Sequence, residues 1–363
     1  MAQTPVPLSV KKWILISAAI GYAALIIYLL YFVGIWDIAE ALLKVNLAVY
    51  LFAIAAVIIS ITLHTLVWFQ LLNFVNIKLS FRRTYILYWL GIFVDNLIPG
   101  GWSGDLFKAY LLGREPDIDS GRAVASVVAK NMYEAIFNLG NMVLGLVLLL
   151  LNYTLEGAIF IGIGGIMLLL TLPLIILMIV SFRPDGAKRI VNLFIRGTAR
   201  LTRNRVNLLK FESAANKLLD DYHDGMKILI ENPRMLVKPM ALSFFAWAFE
   251  ILTLYLVFVS LGFFVPADKV IIVRSIAGNI EAQGYAFAGY AQIVTTALYT
   301  ALGILPAVAA SVGLLGGVVI FWLKTGISYT AFHCVIFADC ASYVCNLVRE
   351  KENKCPEKET ENG

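Results

Sequence analysis

Three apolar runs of more than twenty residues, Trp13 to Ile35, Leu47 to Leu72 and Gly157 to Phe182, leave this chain few choices of fold. A helix of about 20 residues crosses a hydrocarbon core of about 30 Å, and each run reaches that length. Inside lipid the backbone must satisfy its own N–H and C=O groups, so a crossing segment is either a helix or part of a closed barrel. Barrel strands alternate apolar and polar residues, and these runs do not. The chain is therefore expected to be an all-α, polytopic integral membrane helical bundle. Of its 363 residues 60% are hydrophobic and 15% charged, against roughly 45–50% and about 25% in a soluble domain. That balance excludes an ordinary soluble enzyme.

Charge placement sets the expected topology. The net charge is +5, and residues 182–234 alone hold eleven Lys/Arg against six acids. Cationic segments next to spans stay on the cytoplasmic side. Spans are expected at 13–35, 47–72, 121–151, 157–182, 235–261 and 306–337, with 183–234 a cytoplasmic amphipathic segment and 346–363 a polar cytoplasmic tail. Both termini then lie in the cytoplasm. Lys11 and Lys12 precede an apolar run too long for a signal-peptide core, so 13–35 reads as a retained first span. Cys334, Cys340, Cys345 and Cys355 match no zinc or redox spacing and read as free thiols. No metal or cofactor is expected.

Two stretches break the pattern. Tyr85 to Ile98 is about fourteen apolar residues, some 21 Å of helix, interrupted by Asp95 and Asn96 and ended by Pro99-Gly100-Gly101. Residues 268–305 are interrupted by Arg274, Gly278, Asn279, Glu281, Gln283, Gly284 and Gly289. Both read as re-entrant hairpins, 85–104 and 268–305, entering from opposite sides. Gly-interrupted segments in corresponding positions of two halves are the mark of an inverted repeat and alternating access.

Within the 121–151 span, Asn131, Glu134, Asn138 and Asn141 recur at helical spacing, with Lys130 one turn before Glu134. Charged groups at mid-membrane cost about 2.5–3.5 kcal/mol on insertion scales and tend to mark a pathway. The same stripe also suits interhelical hydrogen bonding. Glu250, Arg274, Glu281 and Lys324 are the other intramembrane charges; Glu250 with Arg274, or Glu281 with Lys324, would make ion pairs. His64 reads as a satisfied core histidine. The turn Pro99, Gly100, Gly101, Gly104, Asp105 frees backbone N–H groups at a helix start. With Lys108 and Arg114 adding charge, it suits an anion such as a lipid phosphate, or is a plain capped turn with Ser103 or Asp105 as N-cap. No catalytic motif is present, and the basic segment mixes in six acids between two spans. Anionic headgroups rather than nucleic acid are the expected partner.

The run Asn96-Leu-Ile-Pro-Gly-Gly-Trp-Ser-Gly-Asp-Leu-Phe-Lys-Ala-Tyr-Leu-Leu112, followed by Ala123-Val-Ala-Ser-Val-Val128, resembles the flippase-like family of the lysylphosphatidylglycerol synthase transmembrane region. The resemblance implies a prokaryotic plasma-membrane protein that moves a phospholipid or polyprenyl-linked glycolipid between leaflets. It maps Gly100, Gly101, Gly104 and Asp105 onto the family turn and Lys108 onto its basic residue. Lys130-Asn131 stands where the family has Glu-Arg, so the ion pair expected there is either missing or remade as Lys130 with Glu134. Gln292 stands where the second half's Glu is expected. No synthase or glycosyltransferase domain accompanies the spans. A non-enzymatic protein that translocates or binds an anionic lipid is the expectation, with a homo-oligomer or a lipid-modifying enzyme as partner. A proton-coupled small-solute transporter and a subunit that recruits such an enzyme remain open beside it.

Overall fold

The computed structural model of the protein describes residues 43–97, 103–114, 120–153, 237–280 and 290–333, together with Glu40, Ile118, Gly165 and Leu172. The expected spans 13–35 and 157–182, the basic segment 183–234 and the tail 346–363 lie outside the described residues, apart from Gly165 and Leu172. The described elements are all helical: α1 (Leu47–Phe74), α2 (Phe81–Leu97), α3 (Ser103–Leu112), α4 (Ser120–Asn152), α5 (Val237–Ser260), α6 (Ala267–Ile280), α7 (Tyr290–Ala301) and α8 (Pro306–His333). Helix α8 contains a π-helical stretch at Val318–Leu323. Helices α1, α4, α5 and α8 are long and apolar enough to cross a membrane. At 1.5 Å per residue α2, α3, α6 and α7 reach only about 15 to 25 Å, short of a crossing. The helices of the first interrupted stretch run from Phe81 to Leu97, with Asp95 and Asn96 inside α2, and from Ser103 to Leu112.

Local chemistry fixes the helix ends. Asn46 caps α1, its side-chain oxygen accepting from the N–H groups of Ala48 (3.1 Å) and Val49 (3.3 Å). Asn46→Ala should cost about 1 kcal/mol, read as a lower melting midpoint in detergent. Helix α1 stops where Asn76 turns left-handed (φ 61°) and Ile77 N–H donates to Leu72 O at 2.9 Å. Helix α5 stops in the same way, with Gly262 at φ 81° and Phe263 N–H donating to Phe258 O at 3.0 Å. Both are Schellman stops, in which a left-handed residue lets the next N–H reach back to satisfy an orphan carbonyl.

The order long, short, short, long thus occurs twice. Corresponding helix starts are 186 to 190 residues apart: Leu47 and Val237, Phe81 and Ala267, Ser103 and Tyr290, Ser120 and Pro306. The stops at Asn76 and Gly262 share that offset. The two sets run in opposite senses. Asn46 N–H at the start of α1 donates to Ser260 O at the end of α5 (2.7 Å), and the pair crosses again where Ser60 Oγ donates to Glu250 Oε1 (3.4 Å). Helix α8 lies antiparallel to α2, with Phe93 stacked on Phe332 (ring centroids 4.6 Å apart) and Asn96 Nδ2 donating to Thr325 Oγ1 (2.8 Å). Helix α4 meets α6 likewise, Gly145 lying against Ser275.

Among the described residues two main cores form, the first chiefly from the first set and the second chiefly from the second, with Ala53 of α1 and Leu149 of α4 joining the latter. Trp68, Leu72, Trp89, Leu90 and Leu112 are buried together in the first, Phe258, Ile272, Tyr299 and Val312 in the second. Leu51, Phe52, Phe244, Phe245, Leu150 and Trp322 are exposed. On a bundle with spanning helices these side chains face lipid, which costs them nothing.

Candidate functional site

A cavity of about 320 Å³ opens where the two sets meet. Helix α1 gives it His64; α2 gives Tyr88, Asp95 and Asn96; α4 gives Glu134, Phe137 and Asn138; α5 gives Ser243, Trp247 and Glu250; α6 gives Arg274; α7 gives Gln292; and α8 gives Phe321 and Lys324. Charged groups this deep in a bundle are stable only when paired or wetted, and three groupings provide for that.

The first lies behind the α4 wall. Lys108 pairs with Asp105 one turn earlier on α3. Lys130 Nζ sits 3.8 Å from Asp105 Oδ1 and 2.8 Å from Glu134 Oε2. Asn131 adds a hydrogen bond to Asp105. The two ammonium groups also lie over aromatic faces, Lys108 Nζ 4.7 Å and Lys130 Nζ 5.7 Å from the Tyr88 ring centroid, with Trp68 5.4 Å from Lys108. Desolvated cations gain up to about 2 kcal/mol from such faces. Gly91 makes room for the Lys108 stem, since a Cβ there would stand 2.7 Å from Lys108 Cδ.

The second joins α1, α5 and α6. Arg274 grips Glu250 Oε2 with Nη2 at 2.8 Å and Nε at 3.2 Å, while Glu250 Oε1 faces His64 Nε2 at 3.3 Å and Ser60 Oγ at 3.4 Å. A planar guanidinium meeting a carboxylate edge-on makes the strong, directional form of ion pair.

The third closes the first short-helix pair. Asp95 Oδ1 accepts from Gly104 N–H at 2.6 Å and from Ser103 Oγ at 3.1 Å, so a carboxylate on α2 caps the N-terminus of α3. The close approach requires Gly104: a Cβ there would collide with the Gly91 carbonyl and stand 2.6 Å from Asp95 Cγ. Across the cavity, the π-helical stretch of α8 widens the helix by one residue per turn, bringing Gly317, Ile320, Phe321 and Lys324 to the cavity wall.

The sequence candidates therefore divide. Asp105, Lys108, Lys130, Asn131 and Glu134 come together, and Glu134, Asn138, Glu250, Arg274 and Lys324 line the cavity. Asn141 is not on its wall. Arg114 stands exposed at the end of α3, 5.5 Å from the Tyr110 ring centroid, away from the buried Lys108. Pro99, Gly100, Gly101 and Glu281 lie outside the described residues. Lys108 is 3% exposed and held against Asp105, so the cations on the cavity wall are Arg274 and Lys324 instead. Sequence reasoning reads His64 as a core histidine, takes residues 95 to 105 as lining a cavity without giving Asp95 or Asn96 a specific role, and does not single out Tyr88. Asp95 and Asn96 were legible as an interruption of an apolar run; nothing local distinguishes His64 from a core histidine.

The model of the family described as the lysylphosphatidylglycerol synthase TM region matches residues 14–328 of this chain. A UPF0104 membrane protein of Pyrococcus horikoshii is 27% identical, over 87% of this chain and 94% of that protein. One from Methanothermobacter thermautotrophicus is 23% identical with the same coverage, and one from Methanocaldococcus jannaschii 25% identical over 84% of this chain and 90% of its own length.

Proposed function

Since this chain belongs to the family of the lysylphosphatidylglycerol synthase TM region, we propose that it moves an anionic phospholipid or polyprenyl-linked glycolipid between leaflets, the headgroup passing through the central cavity. The observation that carries the reading is the cavity itself, a charged, hydrogen-bonding hollow inside a lipid-facing bundle. Its volume of about 320 Å³ falls at the lower end of the range in which small molecules bind, about 300–1,000 Å³. That suits a headgroup whose acyl chains stay outside in lipid. Arg274 and Lys324 offer charge to a phosphate, and Asn138 and Asn96 offer neutral hydrogen bonds beside them.

The twofold order of helices, at one offset and in opposite senses, supports reading the molecule as an inverted repeat, with α2–α3 and α6–α7 as re-entrant hairpins from opposite faces. An inverted pair around a central site is the architecture of alternating access. On this reading the chain is a transporter rather than an enzyme, sits in the plasma membrane of a prokaryote, and keeps both termini in the cytoplasm.

Purified protein in liposomes carrying a fluorescent phosphatidylglycerol tests it, with dithionite added outside. Quenching should pass one half only when the protein is present. Arg274→Gln should slow that phase about tenfold or more, as loss of a charge-assisted contact of about 1.5–3 kcal/mol implies. Protein-independent quenching across a panel of phospholipids and polyprenyl phosphates would sink the reading. Protein-dependent uptake of a small solute instead would favour a solute transporter.

A further inference from the structure

The His64, Glu250, Arg274 grouping has a property that a static ion pair lacks. Its acid is gripped from two sides, by a guanidinium that keeps its charge and by an imidazole that can take up a proton. Of the three side chains His64 is the most open to the cavity, 24% exposed against 17% for Glu250 and 10% for Arg274. With Nε2–H donating to Glu250 Oε1, the free ring nitrogen Nδ1 is the proton acceptor.

The surrounding charges decide what a proton there does. Glu250 comes from α5, Arg274 from α6, Lys324 from α8, Glu134 from α4, and Asp95 and Tyr88 from α2, all lining the same cavity. Behind it Lys130 neutralises Glu134, and Asp105 pairs with Lys108. Asp95, Glu134 and Glu250 thus face Lys130, Arg274 and Lys324, a formal balance of zero among the described residues. Protonating His64 leaves one positive charge over. It also sets a second cation 3.3 Å from the carboxylate that Arg274 grips, which loosens Arg274. Its planar fork then fits a phosphate in place of the carboxylate. An anion of single charge restores neutrality.

Resting on the translocation reading above, we propose that His64 takes up a proton together with the anionic headgroup, so that each headgroup crosses with one proton and a pH gradient drives the exchange. The proton arrives from water at Nδ1 with the headgroup and leaves to water on the far side when the headgroup does. No bond to carbon or phosphorus is made or broken. Linkage requires the converse as well: a bound headgroup raises the proton affinity of the site by the factor that the proton raises headgroup affinity.

The test uses the full chain in liposomes with fluorescent phosphatidylglycerol and pyranine trapped inside. The wild-type flip rate should fall about tenfold from about pH 6 to about pH 8, a coupling of ordinary size. Pyranine should report proton movement that requires both protein and the anionic lipid. His64→Gln keeps a side-chain hydrogen bond to Glu250 and should flatten the pH profile and abolish the lipid-dependent pyranine signal. A His64→Gln protein with the wild-type profile overturns the proposal. So does wild-type flipping without lipid-dependent proton movement, a result that needs no variant to fold. Absence of protein-dependent flipping at any pH overturns the translocation reading and this inference together, whereas the two former results leave translocation standing.

Discussion

Lys130→Met should cost the protein about 3 kcal/mol of stability, seen as loss of the monodisperse peak after mild heating in detergent. Methionine has nearly the length of the lysine stem, so packing under Tyr88 is kept and the change isolates the charge. Lys130 is 4% exposed, and its ammonium is shared between Asp105 and Glu134. Removing one partner of a buried pair leaves an uncompensated charge and costs about 3–5 kcal/mol. The low end applies here, because Asp105 retains Lys108 and Glu134, 29% exposed, can draw water from the cavity. Lys130→Met with Glu134→Gln should recover part of the loss, since the double change leaves no carboxylate without a partner on that face. Strict additivity of the two single changes would show that the pair is not coupled.

Gly104→Ala should do comparable damage by a different route. A methyl there meets the backbone carbonyl of Gly91 and the Asp95 carboxylate, and a backbone carbonyl cannot swing aside as a flexible side chain can. Helices α2 and α3 must separate, and the 2.6 Å bond from Gly104 N–H to Asp95 is lost with them. Overpacking of this kind costs about 1–3 kcal/mol, occasionally more, with a further ~1 kcal/mol for the lost charged cap. Gly140→Ala is the control, because nothing stands within 4 Å of its Cβ position. In a helix interior it should be neutral or stabilising by up to about 1 kcal/mol. Equal melting points for the two variants would contradict the closeness of the α2–α3 pair. Flipping should fail in Gly104→Ala and persist in Gly140→Ala.

Much of this was legible because membrane spans are written locally. Length and mean apolarity specify α1, α4, α5 and α8 without reference to any other segment. The Lys130 and Glu134 pairing is equally local, since four residues of helix place one above the other. The twofold order is hard to see residue by residue. At the shared offset Lys108 corresponds to Val294, Lys130 to Gly316 and Glu134 to Ile320, so one set carries the ionic cluster and the other small or apolar residues. Helix lengths and stops correspond where side chains do not, because backbone geometry is satisfied by many sequences.

The sequence by itself determined the all-α membrane class, the interruption near Asp95 and the polar face of α4, all of which follow from apolar length and helical period over neighbouring residues. The sequence offered Glu250 with Arg274 as one of two ion pairs and the structure forms it, but only the tertiary structure decided that His64 stands beside them and that Lys108 is spent on Asp105 while Arg114 stands exposed. His64 and Glu250 are 186 residues apart. Their meeting depends on an antiparallel crossing of α1 and α5, and no local period carries the angle or height at which two distant helices cross.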